Sequence, residues 1–194
     1  MKVLVVGGGG REHAIVDALT RSGRIDTIYC APGNAGIAAQ AECVPIRETE
    51  VEALRDFALA HNVTLTVVGP EAALAAGIVD CFRAAGLRIF GPTKAAARIE
   101  SSKEFAKDLM AKYAIPTAGY RAFTEYAEAL DYVASRPLPA VLKYDGLAAG
   151  KGVVIAETLE EADAALKDML LDDKFGEGKV VVEDFLTGPE FSFM

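Results

Sequence analysis

Two glycine-rich segments and the charged side chains beside them are the parts of this sequence best suited to chemistry. Gly7-Gly8-Gly9-Gly10 directly follows the strand formers Lys2–Val6 and directly precedes a helical pattern. Backbone N–H groups in such a turn, together with the positive end of the helix dipole, make an anion site, and glycine lets the ligand approach closely. A dinucleotide fits poorly. Counted from Gly7, the glycine fingerprint meets Glu12 in its third glycine place; counted from Gly8, it meets His13. The second strand ends in Cys30-Ala31-Pro32, with no acidic residue to hold a ribose 2′-hydroxyl, which counts against an NAD-dependent oxidoreductase. A monophosphate, with Arg11 as counter-charge, fits better. His13 itself reads as a helix-face histidine.

The second segment, Lys143-Tyr144-Asp145-Gly146-Leu147-Ala148-Ala149-Gly150-Lys151-Gly152, lies between two predicted strands and so departs from a P-loop in context as well as in letters. A hairpin with a small-residue tip can still fold over a polyphosphate, and Lys143 at the end of the preceding strand adds a point charge. Farther on, Val180-Val181-Val182-Glu183-Asp184-Phe185-Leu186 is a strand running into acidic and apolar residues. Such an edge can hydrogen-bond an adenine through its backbone while apolar side chains sandwich the ring, and Glu190 is close enough in sequence to reach ribose hydroxyls. No Ser/His/Asp or Cys/His arrangement suggests a protein nucleophile.

The elements that must hold these residues fall into two patterns. Strands at Lys2–Val6, Asp26–Cys30, Leu65–Gly69 and Leu87–Gly91 alternate with helices, including Val51–His61 and Glu71–Ala85. This predicts a doubly wound α/β domain with a parallel sheet. Its loops at Gly7–Gly10, at Pro32-Gly33-Asn34-Ala35-Gly36 and at Gly69-Pro70-Glu71 then share the carboxyl edge, where small molecules bind. Glu71 has a second reading, as the carboxylate that stabilises its own helix N-terminus. From Thr93 the pattern changes to helices Lys94–Ile99 and Lys103–Tyr113, broken at Ser101-Ser102. Strand Tyr120–Phe123, helix Glu125–Ser135, strands Ala140–Tyr144 and Val153–Ala156, helix Leu159–Leu171 and strand Val180–Phe185 follow. The order β-α-β-β-α-β predicts a small α+β unit with an antiparallel sheet.

Composition narrows the class. The 194 residues carry a formal charge of −8, with 52 % hydrophobic and 25 % charged residues, as an ordinary globular protein does. The isoelectric point near 4.9 argues against nucleic acid as the main partner. No apolar run approaches a membrane span, and the apolar start is too short for a signal peptide. Cys30, Cys43 and Cys81 lack metal-ligand spacing and read as reduced, small hydrophobes of a cytoplasmic protein. Residues 1–100 carry a net −1 and residues 101–194 a net −7.

Taken together, GGGGREHA (7–14), APGNAG (31–36), VGPEAALAAGIVD (68–80), IFGPTKAAARIESSKEFAK (89–107), DGLAAGKGV (145–153) and VEDFLTGPEFSF (182–193) resemble the phosphoribosylamine–glycine ligase family of the ATP-grasp superfamily. The resemblance implies a Rossmann-like N-terminal domain at 1–100, a helical linker at 101–119 that starts the ATP-grasp platform, and a lid subdomain at 120–190. Residues 191–194 would be the truncated start of the next platform strand. It also implies ATP-dependent ligation of glycine to 5-phosphoribosylamine through glycyl phosphate, in de novo purine synthesis. Lys143 and Asp145 are the implied catalytic residues. Lys103, Lys143, Gly146, Gly150, Lys151, Gly152, Glu183, Phe185, Leu186 and Glu190 would bind ATP. Gly8, Gly9, Gly10, Arg11, Glu12, Asn34, Gly36, Gly69, Pro70 and Glu71 would line the phosphoribosylamine side. Ligands for Mg²⁺ or Mn²⁺ are expected beyond residue 194, in the rest of the same polypeptide, so these 194 residues are expected not to turn over substrate alone. Tyr144 stands where the family usually has Ala, and Ala73 where Pro is common. A non-catalytic nucleotide- or sugar-phosphate-binding module and another carboxylate–amine or biotin-carboxylase-like ligase are the alternatives.

Overall fold

The computed structural model describes residues 1–148, 151–172, 174, 176 and 178–192. The chain divides into two compact units, Met1–Arg98 and Ile99–Met194. In the first, strands β1 (Lys2–Gly7), β2 (Thr27–Pro32), β3 (Glu42–Cys43), β4 (Leu65–Val68) and β5 (Ile89–Phe90) form a parallel sheet in the order β3-β2-β1-β4-β5. β1 is central because Val3–Val6 is apolar at every position and can be buried on both faces. Leu4 and Val6 pack with Tyr29, Leu54, Ile78 and Phe82. Val5 packs on the other side with Val16, Ile28, Cys30 and Ile37. Helices α1 (Gly10–Thr20), α2 (Val51–Ala60), α3 (Glu71–Ala76) and α4 (Ile78–Ala84) supply the covering side chains.

Three local readings of the sequence need correction. β2 continues through Ala31 and Pro32, which pair with Val6 and Gly7, so the loop begins at Gly33. The two-residue β3 was not anticipated, because a strand that short leaves no run of strand formers to read. The single helix expected over Glu71–Ala85 is two helices. Gly77, at φ +93°, takes the left-handed conformation that ends α3, and its N–H donates to the Leu74 carbonyl.

α5 (Lys94–Ser101) leads in sequence to the second unit, where α6 (Lys103–Lys112) is capped by Ser102, whose Oγ accepts from the Phe105 N–H at 3.2 Å. Strands β6 (Tyr120–Phe123), β7 (Ala140–Asp145), β8 (Val153–Ala156) and β9 (Lys179–Asp184) pair antiparallel in the order β6-β9-β7-β8. Helices α7 (Tyr126–Ala134) and α8 (Leu159–Leu170) cover one face of this sheet, packing Ala129, Val133, Ala162, Leu166 and Met169 against Phe123, Leu142, Tyr144, Val180 and Val182. Period-2 alternation places Val141, Lys143, Val181 and Glu183 on the opposite face. That face carries the charged chemistry of the unit.

Forcing a Cβ into the left-handed backbone of Gly77 costs roughly 1–2 kcal/mol. The Gly77→Ala variant is therefore expected to unfold at a lower urea concentration than the wild type. An unchanged midpoint would contradict the left-handed break between α3 and α4.

Candidate functional site

In the first unit the three loops meet at the carboxyl edge of the parallel sheet. A Cβ on Gly8 would lie 2.6 Å from the Gly33 carbonyl oxygen, so the first two loops touch backbone to backbone. Asn34 ties them further: its Nδ2 donates to the Gly8 carbonyl at 2.8 Å, and its Oδ1 accepts from the Ile37 N–H at 2.9 Å. Gly36 leaves room for the His13 ring, whose Cε1 would lie 2.8 Å from an added Cβ.

Glu12 lies beneath the glycine loop at 5 % exposure. Its Oε2 accepts from the Gly9 N–H at 2.6 Å, taking one of the donors that the start of α1 leaves unpaired. A Cβ on Gly69 would fall 1.9 Å from Glu12 Oε1, so the absence of a side chain at Gly69 is what admits this carboxylate. Arg11 Nη1 donates to the Gly69 carbonyl at 2.7 Å and to Glu71 Oε1 at 2.9 Å. Glu71 is held below the usual carboxylate range by its own backbone N–H and by Arg11. Gly9, Gly10, Arg11, Glu12, Pro70 and Glu71 line an open cavity of about 280 Å³. The ten positions expected on the sugar-phosphate side lie on these loops and on the first turns of α1 and α3 that follow them.

In the second unit the ordering group is Glu183, buried at 7 % exposure. Oε1 meets Lys143 Nζ and Oε2 meets Lys107 Nζ, each at 2.9 Å. Lys107 also donates to Thr117 Oγ1 at 2.7 Å and to the Ala118 carbonyl at 3.4 Å. Asp145 sits at the N-terminus of α6, accepting from the backbone N–H groups of Lys103 and Glu104 and from Ser102 Oγ. A carboxylate there is favoured by the helix dipole and by the unpaired N–H groups. Lys103 Nζ donates to the Gly146 carbonyl at 2.9 Å, so α6 grips the start of the glycine loop at two points. Burial lowers the pKa of Lys103; nearby Lys143 pushes the same way, while Asp145 opposes both.

A cavity of about 290 Å³ opens over this face, with Lys103, Lys107, Lys143, Glu183, Met110 and Val153 in its lining. The Tyr144 N–H donates to the Gly152 carbonyl at 2.8 Å and closes the base of the loop. The Tyr144 ring turns into the core; an added Cβ on Gly146 or Gly178 would lie 2.7 or 2.6 Å from it. Lys151, Phe185, Leu186 and Glu190 are exposed, and residues 185–192 form no helix or strand. Gly150, Phe193 and Met194 lie outside the described residues. Lys107 and Thr117 were missed in the sequence reading. The four-residue spacing of Lys103 and Lys107 was the available signal for the former, and nothing local marked the latter.

The family model for the phosphoribosylglycinamide synthetase N domain matches residues 1–100, and that for the ATP-grasp (A) domain of the same synthetase matches residues 101–194. The chain belongs to the phosphoribosylglycinamide synthetase family. It is 56 % identical over 196 residues to a phosphoribosylamine–glycine ligase of Neisseria meningitidis serogroup B, covering all of this chain and 46 % of that relative. It is 52 % identical over 198 residues to that of Escherichia coli K12, with the same coverage. The chain therefore spans about half the length of the curated relatives it matches. The crystal structure of phosphoribosylamine–glycine ligase from Thermotoga maritima superposes with a TM-score of 0.78 at 31 % identity, covering 97 % of this chain and 45 % of that one. An ADP complex of N5-carboxyaminoimidazole ribonucleotide synthetase shares the fold at a TM-score of 0.75 and 17 % identity.

A lysine whose pKa is depressed by folding binds its proton less tightly than it does in the unfolded chain. The charge on Lys103 therefore costs stability at neutral pH, and that cost fades as pH rises toward the ordinary value of 10.5. In a ¹³Cε titration of the lysines, Lys103 is expected to lose its proton below 10.5. A midpoint at or above that value would contradict its partly buried setting.

Proposed function

We propose that the chain supplies the sugar-phosphate side and the nucleotide lid of an enzyme that ligates glycine to 5-phosphoribosylamine at the expense of ATP. The observation that carries the lid reading is the Lys143–Glu183–Lys107 cluster beneath the glycine loop, beside Lys103. Two cations on one carboxylate leave a net positive charge facing a cavity of about 290 Å³. Family membership over both halves of the chain supports the substrate assignment.

A carboxylate is a poor acylating agent. In the proposed reaction a glycine carboxylate oxygen attacks the γ-phosphorus of ATP, ADP departs, and the acyl phosphate forms. The amine nitrogen of phosphoribosylamine then attacks the acyl carbon, phosphate leaves with the bonding pair, and the nitrogen loses a proton. No protein nucleophile takes part, so the chain acts by positioning reactants and offsetting phosphate charge. Lys143 and Lys103 supply that charge, and Asp145 holds the loop Gly146–Gly152 to α6. The hinge at Glu183, Phe185 and Leu186 receives adenine through its backbone, the Glu183 carboxylate being held by the two lysines, and Glu190 receives the ribose hydroxyls. In the first unit Gly8 and Gly10 offer N–H groups to the 5-phosphate with Arg11 nearby, and Gly9, whose N–H is held by Glu12, keeps the loop in shape between them. Glu12, Asn34, Gly36, Gly69 and Pro70 shape the loops around it, and Glu71 faces the amine side.

Mg²⁺ or Mn²⁺ would offset further phosphate charge. Among the described residues no three His, Cys, Asp or Glu side chains gather to hold one. Among the described residues no helix is long and apolar enough to cross a membrane. We place the protein in the cytoplasm, where its proposed phosphorylated substrates would be made. Burial raises the Cys30 thiol to about 12, with Cys43 and Glu12 pushing the same way, so it stays protonated and acts as a packing group.

Lys143→Ala in the full-length protein carrying this chain is expected to weaken nucleotide use at least tenfold, from the loss of a charge-assisted contact of roughly 1.5–3 kcal/mol. The measurement is ADP release dependent on both glycine and phosphoribosylamine. Wild-type kinetics for ATP in that variant would overturn the assignment.

A further inference from the structure

We propose that Lys107 is a positioning residue that makes Lys143 available to a nucleotide phosphate by sharing the Glu183 carboxylate with it. The inference rests on the nucleotide reading of this face. Lys107 lies at 8 % exposure, and its ammonium group has three acceptors: Glu183 Oε2, Thr117 Oγ1 and the Ala118 carbonyl. An ammonium group has three protons. Those partners occupy all three, so Lys107 is fixed in place with no proton left for a ligand.

Lys143 is placed differently. Its side chain is 28 % exposed, it borders the cavity, and its ion pair among the described residues is with the other oxygen of the same carboxylate. Its other protons can reach a phosphate from this position, and turning fully toward that phosphate loosens the ammonium group from Glu183. If Lys143 were the sole partner of Glu183, that movement would strand a buried carboxylate without a cation, which is strongly unfavourable. Lys107 removes this obstacle, because Glu183 keeps one full ion pair whichever way Lys143 turns. The arrangement assigns distinct tasks to two lysines that reach one acid from different elements. The α6 lysine is the permanent counter-ion, and the β7 lysine is the exchangeable one.

The test is equilibrium binding of ATP, read by calorimetry, to the full-length protein carrying this chain and to three variants. Lys107→Met is expected to bind ATP about tenfold more weakly or worse, because Glu183 then holds Lys143 as its only cation. Lys107→Arg is expected to stay within about threefold of wild type, since it restores the buried cation. Lys107→Met combined with Glu183→Gln is expected to recover most of the lost affinity, because the neutral amide no longer retains Lys143. A role confined to stability would not produce that recovery, so thermal unfolding is followed in parallel. If Lys107→Met does not fold, Lys107→Gln, which keeps a donor for Thr117, takes its place. Wild-type affinity in the folded single variant, or no recovery in the double variant, would overturn the inference while leaving the nucleotide reading intact. Failure of the wild type itself to bind ATP would overturn the nucleotide reading, and this inference with it.

Discussion

A carboxylate taken out of water must be paired, and Glu183 is the group on which that constraint falls most heavily. It sits at the end of the central strand β9, where the period of the sheet turns its side chain away from the α7–α8 core and toward α6. Its two oxygens draw Lys107 and Lys143 to the same place from a helix and a strand. Removing one partner from a buried pair typically costs about 3–5 kcal/mol, so this register of β9 against α6 and β7 is strongly specified. The phosphate-facing chemistry of the second unit follows from it. The glycine loop follows Asp145, the last residue of β7, which is gripped by the N-terminus of α6.

The first unit solves a similar problem with Glu12. Its buried carboxylate accepts from a backbone donor of the glycine loop, and Gly69 lacks the side chain that would displace it. The contrast with Arg11 and Glu71 is instructive. Their side chains are 60 % and 42 % exposed, so that ion pair contributes no more than about 1 kcal/mol and can exchange its partners for a ligand. In both units a buried carboxylate fixes the backbone, and a partly exposed cation stands beside it.

Much of this was legible in the sequence where a strong local signal existed. The apolar run after Lys2 announced a strand of a parallel sheet, and the Ser101-Ser102 pair marked the break between two helices, with Ser102 acting as the cap. The joined glycine loops followed from the topology, since parallel strands deliver their carboxyl ends to one edge. What escaped was set by tertiary contact. Gly77 looked like an ordinary residue inside a helical stretch, and only its left-handed backbone splits the helix. Glu12 occupied a glycine's place in a fingerprint, and nothing nearby in sequence showed that Gly69 would make room for it. Nothing in the sequence singled out Lys107, because its partners lie ten residues away at Thr117 and seventy-six away at Glu183.

The central claim is that Lys143 is the exchangeable partner of a carboxylate that Lys107 holds permanently. The most direct measurement is the side-chain ¹⁵N ammonium spectrum of the lysines during a titration with ATP, with NAD as the control. The Lys143 signal is expected to shift with added ATP while that of Lys107 stays in place, and NAD is expected to move neither. An unmoved Lys143 signal at saturating ATP, or equal shifts for both lysines, would contradict the account.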